Sequence, residues 1–280
     1  MRDFSNDHSS LALNTATLGH NLPGYGAGWS PEQVIDACAV RGYGGIVFWN
    51  REIGARAIEI GEKVRAAGMA VVGLCRTPYF TGSEAGSDDD ILASIDMAAG
   101  LGTSVLTIVT GGTEPGTKGL LESQKRLAER LANLAPRAAA CGVNLALEPL
   151  NPMFGGNRTC IMTVRQALEI CDIVGLPNIG VAVDVYHTWW DTALSESIYN
   201  AEGRILGFHL CDWLENTSDM LLDRGMMGDG VADIRGLRAE IEKAGYQGYC
   251  EVEIFSSENW WKRPPEVVLD IIVERYRGVC

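Results

Sequence analysis

The stretch I-G-V-A-V-D-V-Y-H-T-W-W, Ile179–Trp190, decides how the rest of the chain is read. It begins as an apolar, β-branched run, the pattern of a strand buried on both faces. A carboxylate, Asp184, then appears, and an imidazole, His187, follows it three residues later. Polar groups at the end of a buried strand are costly unless something pairs with them. Alternation sets Gly180, Ala182 and Asp184 on one face and Val181, Val183 and Val185 on the other. That division suits a barrel strand, with valines toward an outer layer of helices and the acid in the barrel mouth. The competing reading makes Asp184 a cap for the next helix. The other strands weigh between them.

Outward from this stretch, a strand-then-helix alternation repeats about eight times. The strand candidates are Leu11–Leu18, Gly45–Trp49, Ala70–Cys75, Val105–Thr110, Val143–Leu147, the stretch above, Ile205–Leu210 and Gly248–Phe255. Helix signals separate them. Ser30-Pro31-Glu32-Gln33 combines a cap, a first-turn proline and acidic or amide residues, and Gly42, Gly68, Gly142 and Gly175 close helical runs. Eight such units predict a single-domain (β/α)₈ TIM barrel over residues 1–280, with 1–10 a flexible tail. The rival architecture is an open doubly wound sheet.

Composition narrows the function. Hydrophobic residues make up 46% and mean hydropathy is +0.03, as in soluble globular proteins. No apolar run approaches the roughly eighteen residues of a membrane span. The polar, mixed-charge start is unlike a signal peptide. Eight cysteines lie scattered among apolar neighbours without short metal or redox spacing, which predicts a reduced, cytoplasmic protein. A net charge of −13 argues against a nucleic-acid surface.

Active-site groups of a barrel sit at the C-terminal strand ends. The fifth strand gives Glu148, the sixth Asp184 and His187, the seventh His209 and Asp212, the eighth Glu251 and Glu253. Parity agrees each time: Ala146 with Glu148, Gly207 with His209, and Glu251 with Glu253 all face inward. Two glutamates, an aspartate and a histidine form an O₃N set. It favours Mn²⁺, Mg²⁺ or Co²⁺ over a structural zinc site, and three converging carboxylates would repel one another without a cation. Glu251 lies about 7 Å deeper than Glu253 by strand rise, so Glu253 is the expected ligand and Glu251 an internal partner.

These strand ends resemble the xylose-isomerase-like barrels of sugar isomerases and epimerases, especially ketose 3-epimerases and inosose isomerases. The resemblance is strong over 143–280 and architectural before that. It implies metal ligands Glu148, Asp184, His209 and Glu253, with Mn²⁺ the first expectation and Mg²⁺, Co²⁺ or Zn²⁺ possible. It implies that His187, in Asp184-Val185-Tyr186-His187, contacts substrate. Val252-Glu253-Ile254-Phe255 resembles the strand-eight motif, and Gly228-Asp229-Gly230 the glycine turn. One departure matters. Ketose epimerases carry an arginine six residues after the metal histidine, where this chain has Glu215. The next arginine in that loop, Arg224, is nearer the inosose-isomerase pattern, and Arg158 offers another hydroxyl clamp.

Tryptophans mark the same end: Trp49, Trp189, Trp190, Trp213, Trp260 and Trp261. Trp49 and Trp213 are read as aromatic walls for a sugar. Trp260-Trp261 leans toward an interface or lid, and a homo-oligomer, dimer or tetramer, is expected. The implied function is isomerisation or epimerisation of a small carbohydrate, a keto sugar or keto-inositol, through a metal-stabilised cis-enediolate, with Glu148 and Glu253 as acid and base. A lyase or dehydratase on 3-keto sugars or keto-inositols uses the same enolisation and is the alternative. A repair endonuclease on this barrel would need more histidines than the four present.

Overall fold

The computed structural model describes residues 2–280, and in it eight parallel strands close into a barrel in chain order. They are β1 Leu11–Asn14, β2 Gly45–Trp49, β3 Ala70–Cys75, β4 Val105–Ile108, β5 Asn144–Leu147, β6 Ile179–Asp184, β7 Ile205–Leu210 and β8 Cys250–Val252. β1 pairs with β2 on one side and with β8 on the other, so no strand edge is left open. The barrel expectation holds and the open sheet, which would leave two edges, falls.

Helices Pro31–Ala39, Ala57–Ala66, Asp88–Leu101, Leu121–Ala140, Val164–Val174, Leu194–Asn200, Ile234–Lys243 and Pro265–Val279 surround the strands. Their ends follow the local sequence. Ser30 Oγ accepts from the Gln33 N–H while Gln33 Oε1 accepts from the Ser30 N–H, a reciprocal cap at a helix opened by Pro31. The valine face of β6 is fully buried in the apolar layer shared with the helices. Each such side chain contributes about 1.5–3 kcal/mol, and a one-residue slip would put Asp184 there instead. Register is thereby fixed, and it sets Asp184 beside His209 and His209 beside Glu251.

Three expectations need correction. The first and sixth strands are shorter than the apolar runs suggest. Asn14 Oδ1 accepts from the Ala16 N–H (2.9 Å) and Asp184 Oδ1 from the Tyr186 N–H (2.7 Å). Each side chain offers the backbone an alternative to the ladder, and a one-turn helix begins. Asp184 is therefore both helix cap and inward acid. The eighth strand likewise ends at Val252, with Glu253 just beyond it. The N-terminal segment, finally, is docked rather than loose. Phe4 is buried with its ring 4.4 Å from that of Tyr276, and Arg2 Nε lies 3.0 Å from Glu242 Oε1. Those partners are remote in sequence, so local polarity hid the docking.

Candidate active site

Glu148, Asp184, His209 and Glu253 converge at the C-terminal end of the barrel, all buried, with one ligand atom of each within 4.8 Å of the others. Inward parity on β5 to β7 and on the continuation of β8 brings them together. Gly207 clears the space beneath: a Cβ there would stand 3.2 Å from His209 Nε2. His209 Nδ1 lies 2.8 Å from Glu148 Oε1, and Nε2 lies 3.4 Å from Glu251 Oε2. Glu251 thus sits behind the ring and orients it, which leaves Nδ1 as the nitrogen facing the cluster.

Asn14, from β1, was not expected. Its Nδ2 donates to Glu251 Oε1 (2.6 Å) and Glu253 Oε1 (2.9 Å), and its Oδ1 accepts from Trp49 Nε1 (2.9 Å). One amide therefore separates and aims the two glutamates of the last strand. A buried asparagine in an inward position of β1 was the available signal.

Arg224 is the second surprise. It is expected at the substrate, yet Nη1 lies 3.1 Å from both Asp184 Oδ2 and Glu253 Oε2. Its guanidinium is sandwiched between Tyr186 and Phe255, 4.5 and 4.2 Å from the ring centroids. The loop carrying it is pinned where the Arg224 N–H donates to Phe255 O and by bridges Asp212–Gly225 and Asp223–Ser256. Asp212, at the end of β7, is not a ligand. Its carboxylate accepts from the N–H groups of Gly228, Gly230 and Ala232, and so holds the glycine turn. A Cβ at Gly230 would stand 2.0 Å from Trp213 O, which is why the turn needs glycine.

Burial, opposed by Arg224, raises the carboxyls of Asp184 and Glu253 to about 7. The His209 imidazole is held well above its ordinary range: burial opposes this, but Glu251 and the Glu148 hydrogen bond outweigh it. The cluster is short of positive charge, and Arg224 and His209 do not fully supply it. An O₃N donor set of this kind fits a hard divalent cation. Cys75 Sγ also lies within 4.8 Å of Glu251 and Glu253, but burial raises its thiol well above the usual range, so it stands as a neutral wall.

His187 is set by the one-turn helix that Asp184 caps. Its Nδ1 accepts from the Asn151 N–H (3.2 Å), and burial, then Arg224 and Arg158, hold it neutral. Its Nε2 lies 3.3 Å from Arg224 Nη2, so a backbone N–H and a guanidinium N–H meet the two ring nitrogens.

A narrow cleft opens above the cluster. Trp49, Arg158, His187, Arg224, Glu148 and Glu253 line it, as do Cys75, Arg76, Thr107, Phe154 and Phe255, which the sequence reading missed. Trp213 does not line it. Its ring packs 4.8 Å from Tyr186 and 5.7 Å from Trp189, buttressing the wall from behind. Trp260 is buried, and Trp261 Nε1 donates to Ala16 O and Ile254 O, so this pair closes the β1–β8 seam and is no lid.

The description xylose isomerase-like TIM barrel matches residues 35–271. The chain belongs to this family. Among curated relatives of this xylose isomerase-like barrel, an inosose isomerase of Bacillus velezensis is 30% identical over 141 residues, 49% of each chain. A fructoselysine 3-epimerase of Escherichia coli O157:H7 is 28% identical over 55% of this chain and 53% of its own. The chain spans about half the length of the curated relatives it matches. A crystal structure of protein SMc04130 from Sinorhizobium meliloti 1021 superposes with TM-score 0.90 at 42% identity, over 98% of this chain and 99% of that one. The IolI protein, whose crystal structure holds a zinc atom, shares the fold with TM-score 0.79 at 20% identity, over 96% and 97%.

Proposed function

We propose that this chain is a divalent-metal-dependent isomerase or epimerase of a keto sugar or keto-inositol, working through an enediolate. The observation that carries the reading is the buried Glu148–Asp184–His209–Glu253 cluster at the floor of a narrow, partly aromatic cleft. The relatives named inosose isomerase and fructoselysine 3-epimerase support the same class.

Those four residues would hold the ion, Mn²⁺ first, with Mg²⁺, Co²⁺ or Zn²⁺ as alternatives. When bound, it supplies polarisation of a substrate carbonyl and offsets the charge that develops on enolisation. The chain does the rest. Glu148 and Glu253 come from strands separated by two others, so their carboxylates approach a flat intermediate from different sides. One removes the proton next to the carbonyl and the other returns it. Glu253 Oε1 and Oε2 are steered by Asn14 and Arg224. His187 and Arg224, whose Nε2 and Nη2 lie 3.3 Å apart at the cleft, would contact the substrate hydroxyls. Trp49 and Phe255, with centroids 5.9 Å apart, form an apolar wall for the C–H face of a sugar.

The test is solvent exchange. Mn²⁺-loaded protein in D₂O with a panel of ketoses and inososes should place deuterium on a carbon next to the carbonyl, and the product distinguishes inversion, isomerisation and elimination. Glu148→Gln and Glu253→Gln should each lose about 10²–10⁴ in rate while retaining metal. No deuterium with any member of the panel, or wild-type turnover in both variants, overturns the reading.

A further inference from the structure

Arg76 and Arg158 line the cleft on the β3–β5 side, across the barrel from Glu253. Neither forms an ion pair with any described carboxylate. This contrasts with the three buried arginines: Arg130 pairs with Asp88, Arg224 with Asp184 and Glu253, and Arg238 with Glu242. The chain has 36 acidic and 23 basic side chains, so acids to pair with are plentiful.

Each guanidinium presents five N–H donors in a rigid fork. Among the described residues these two make a single protein hydrogen bond, Arg76 Nη1 to Thr77 O at 3.2 Å. Arg158 Nε is buried with no partner at all. Leaving such a nitrogen unpaired is costly, and both side chains are half-buried at the cleft, where a ligand can reach them. Aromatic faces hold both in place: Arg76 lies 4.3 Å from the Tyr79 centroid and Arg158 5.2 Å from that of Phe154. Two like charges are thus braced toward one wall of a cleft whose acids, Glu148 and Glu253, belong to the cluster. Burial lowers the Arg76 proton affinity and the Arg158 charge adds to this, while Tyr79 and, more weakly, Glu148 oppose it.

We infer that Arg76 and Arg158 together form an oxyanion site, and that the substrate is an acidic keto sugar whose phosphate or carboxylate lies on the β3–β5 side while its carbonyl meets the cluster. A planar oxyanion takes two parallel bonds from an arginine fork, and a phosphate can take both forks at once. The inference rests on the proposed enolisation for its carbonyl end only; the anion site stands on the unpaired arginines.

The experiment compares three compounds that differ at one end: fructose, fructose 6-phosphate and fructuronate. Their binding to the metal-free and Mn²⁺-loaded full chain is measured by calorimetry, beside inorganic phosphate and acetate, and deuterium uptake is followed in parallel. At least one anionic member should bind about a hundredfold more tightly than fructose, and which one leads tells phosphate from carboxylate. Arg76→Gln and Arg158→Gln should each cut that preference by on the order of tenfold to a hundredfold, and the double variant should abolish it. Arg→Lys at either position should restore part, which separates a charge role from a folding defect. Equal binding of fructose and both anions, or a preference that survives in the double variant, overturns the site. Because binding is read without turnover, a protein that prefers anions yet exchanges no deuterium refutes the enolisation and leaves the site standing. One that exchanges deuterium yet binds all three equally refutes the site alone.

Discussion

The two halves of the barrel mouth are built from different chemistry. β5 to β8 and the residues just past them deliver Glu148, Asp184, His209, Glu251 and Glu253, every group able to hold a cation or carry a proton. The ends of β1 to β4 deliver the neutral Asn14, Trp49, Cys75 and Thr107, and the charged groups just past them, Arg76 and the His20–Glu52 pair, lie outside the cluster. Closure of the barrel through the β1–β8 pair lets the neutral half act on the acidic one, since Asn14 reaches both glutamates from across that seam. The difference is a division of chemistry: one half supplies the carboxylates and the imidazole of the cluster, and Asn14 of the other half holds two of its glutamates.

The sharpest way to break that division is to remove a reactive group and ask whether anything remains. Asp184→Asn or His209→Ala takes one donor from a set of four. Bound Mn²⁺, measured by atomic emission after gel filtration, should fall to a small fraction of wild type, and turnover should fall nearly to background. The far-ultraviolet spectrum of the barrel should persist. Full metal occupancy with normal turnover in either variant would show that the cation is held elsewhere.

A second effect, of intermediate size, concerns pH. Burial raises the Asp184 and Glu253 carboxyls from 3.8 and 4.5 to about 7. In the metal-free chain, the folded state then keeps protons that the unfolded chain has already released. The stability these groups contribute is full below about pH 4 and is lost as pH rises through about 7. A divalent ion binds only the carboxylate form, so it acts in the opposite sense. With chelator, Tm should fall between roughly pH 5 and 7.5 by on the order of 5 °C. The Tm gain on adding Mn²⁺ should grow over the same interval, and Glu253→Gln should flatten the metal-free slope. A metal-free Tm that climbs with pH in that range would mean that Arg224 and His209 already balance the carboxylates.

What could be read beforehand follows the same division. The barrel was legible because strand and helix periods alternate and glycines close the helices. The acidic half was legible because each group sits on a strand whose neighbours are apolar, so parity alone aims it. Arg224 was visible as a residue but not in its position, because a long loop has no period and its path depends on the Phe255 carbonyl and the Asp223–Ser256 bridge. Asn14, Arg76 and Phe154 stayed hidden for another reason. Each acts through partners on distant strands or loops, and a lone asparagine or arginine in sequence looks like ordinary surface polarity. Trp213 misled because a tryptophan shortly after an inward histidine suits a sugar wall as well as the aromatic buttress it forms.

The smallest expected effect tests the neutral half directly. Trp49 forms the end of β2, lines the cleft, and donates Nε1–H to Asn14 Oδ1 at 2.9 Å. Trp49→Phe keeps an aromatic face toward the substrate and removes that donor. Asn14 Oδ1 still accepts from the Ala16 N–H, so the amide should keep its orientation and its two bonds to Glu251 and Glu253. The loss is one hydrogen bond and part of a ring, typically about 1 kcal/mol, or less than tenfold. If the wall only encloses substrate, the change should appear in KM, with kcat and bound metal within a factor of about two of wild type, well inside that margin. A large fall in kcat at full metal occupancy would place Trp49 and Asn14 within the machinery that sets the strand-eight glutamates, and the boundary between the halves would then have to move onto β2. Asn14→Ala separates the two outcomes further: it strips both glutamates of their shared donor, so it should lower kcat more than Trp49→Phe does in either case, and equal effects would mean that the indole, not the amide, carries the influence across the seam.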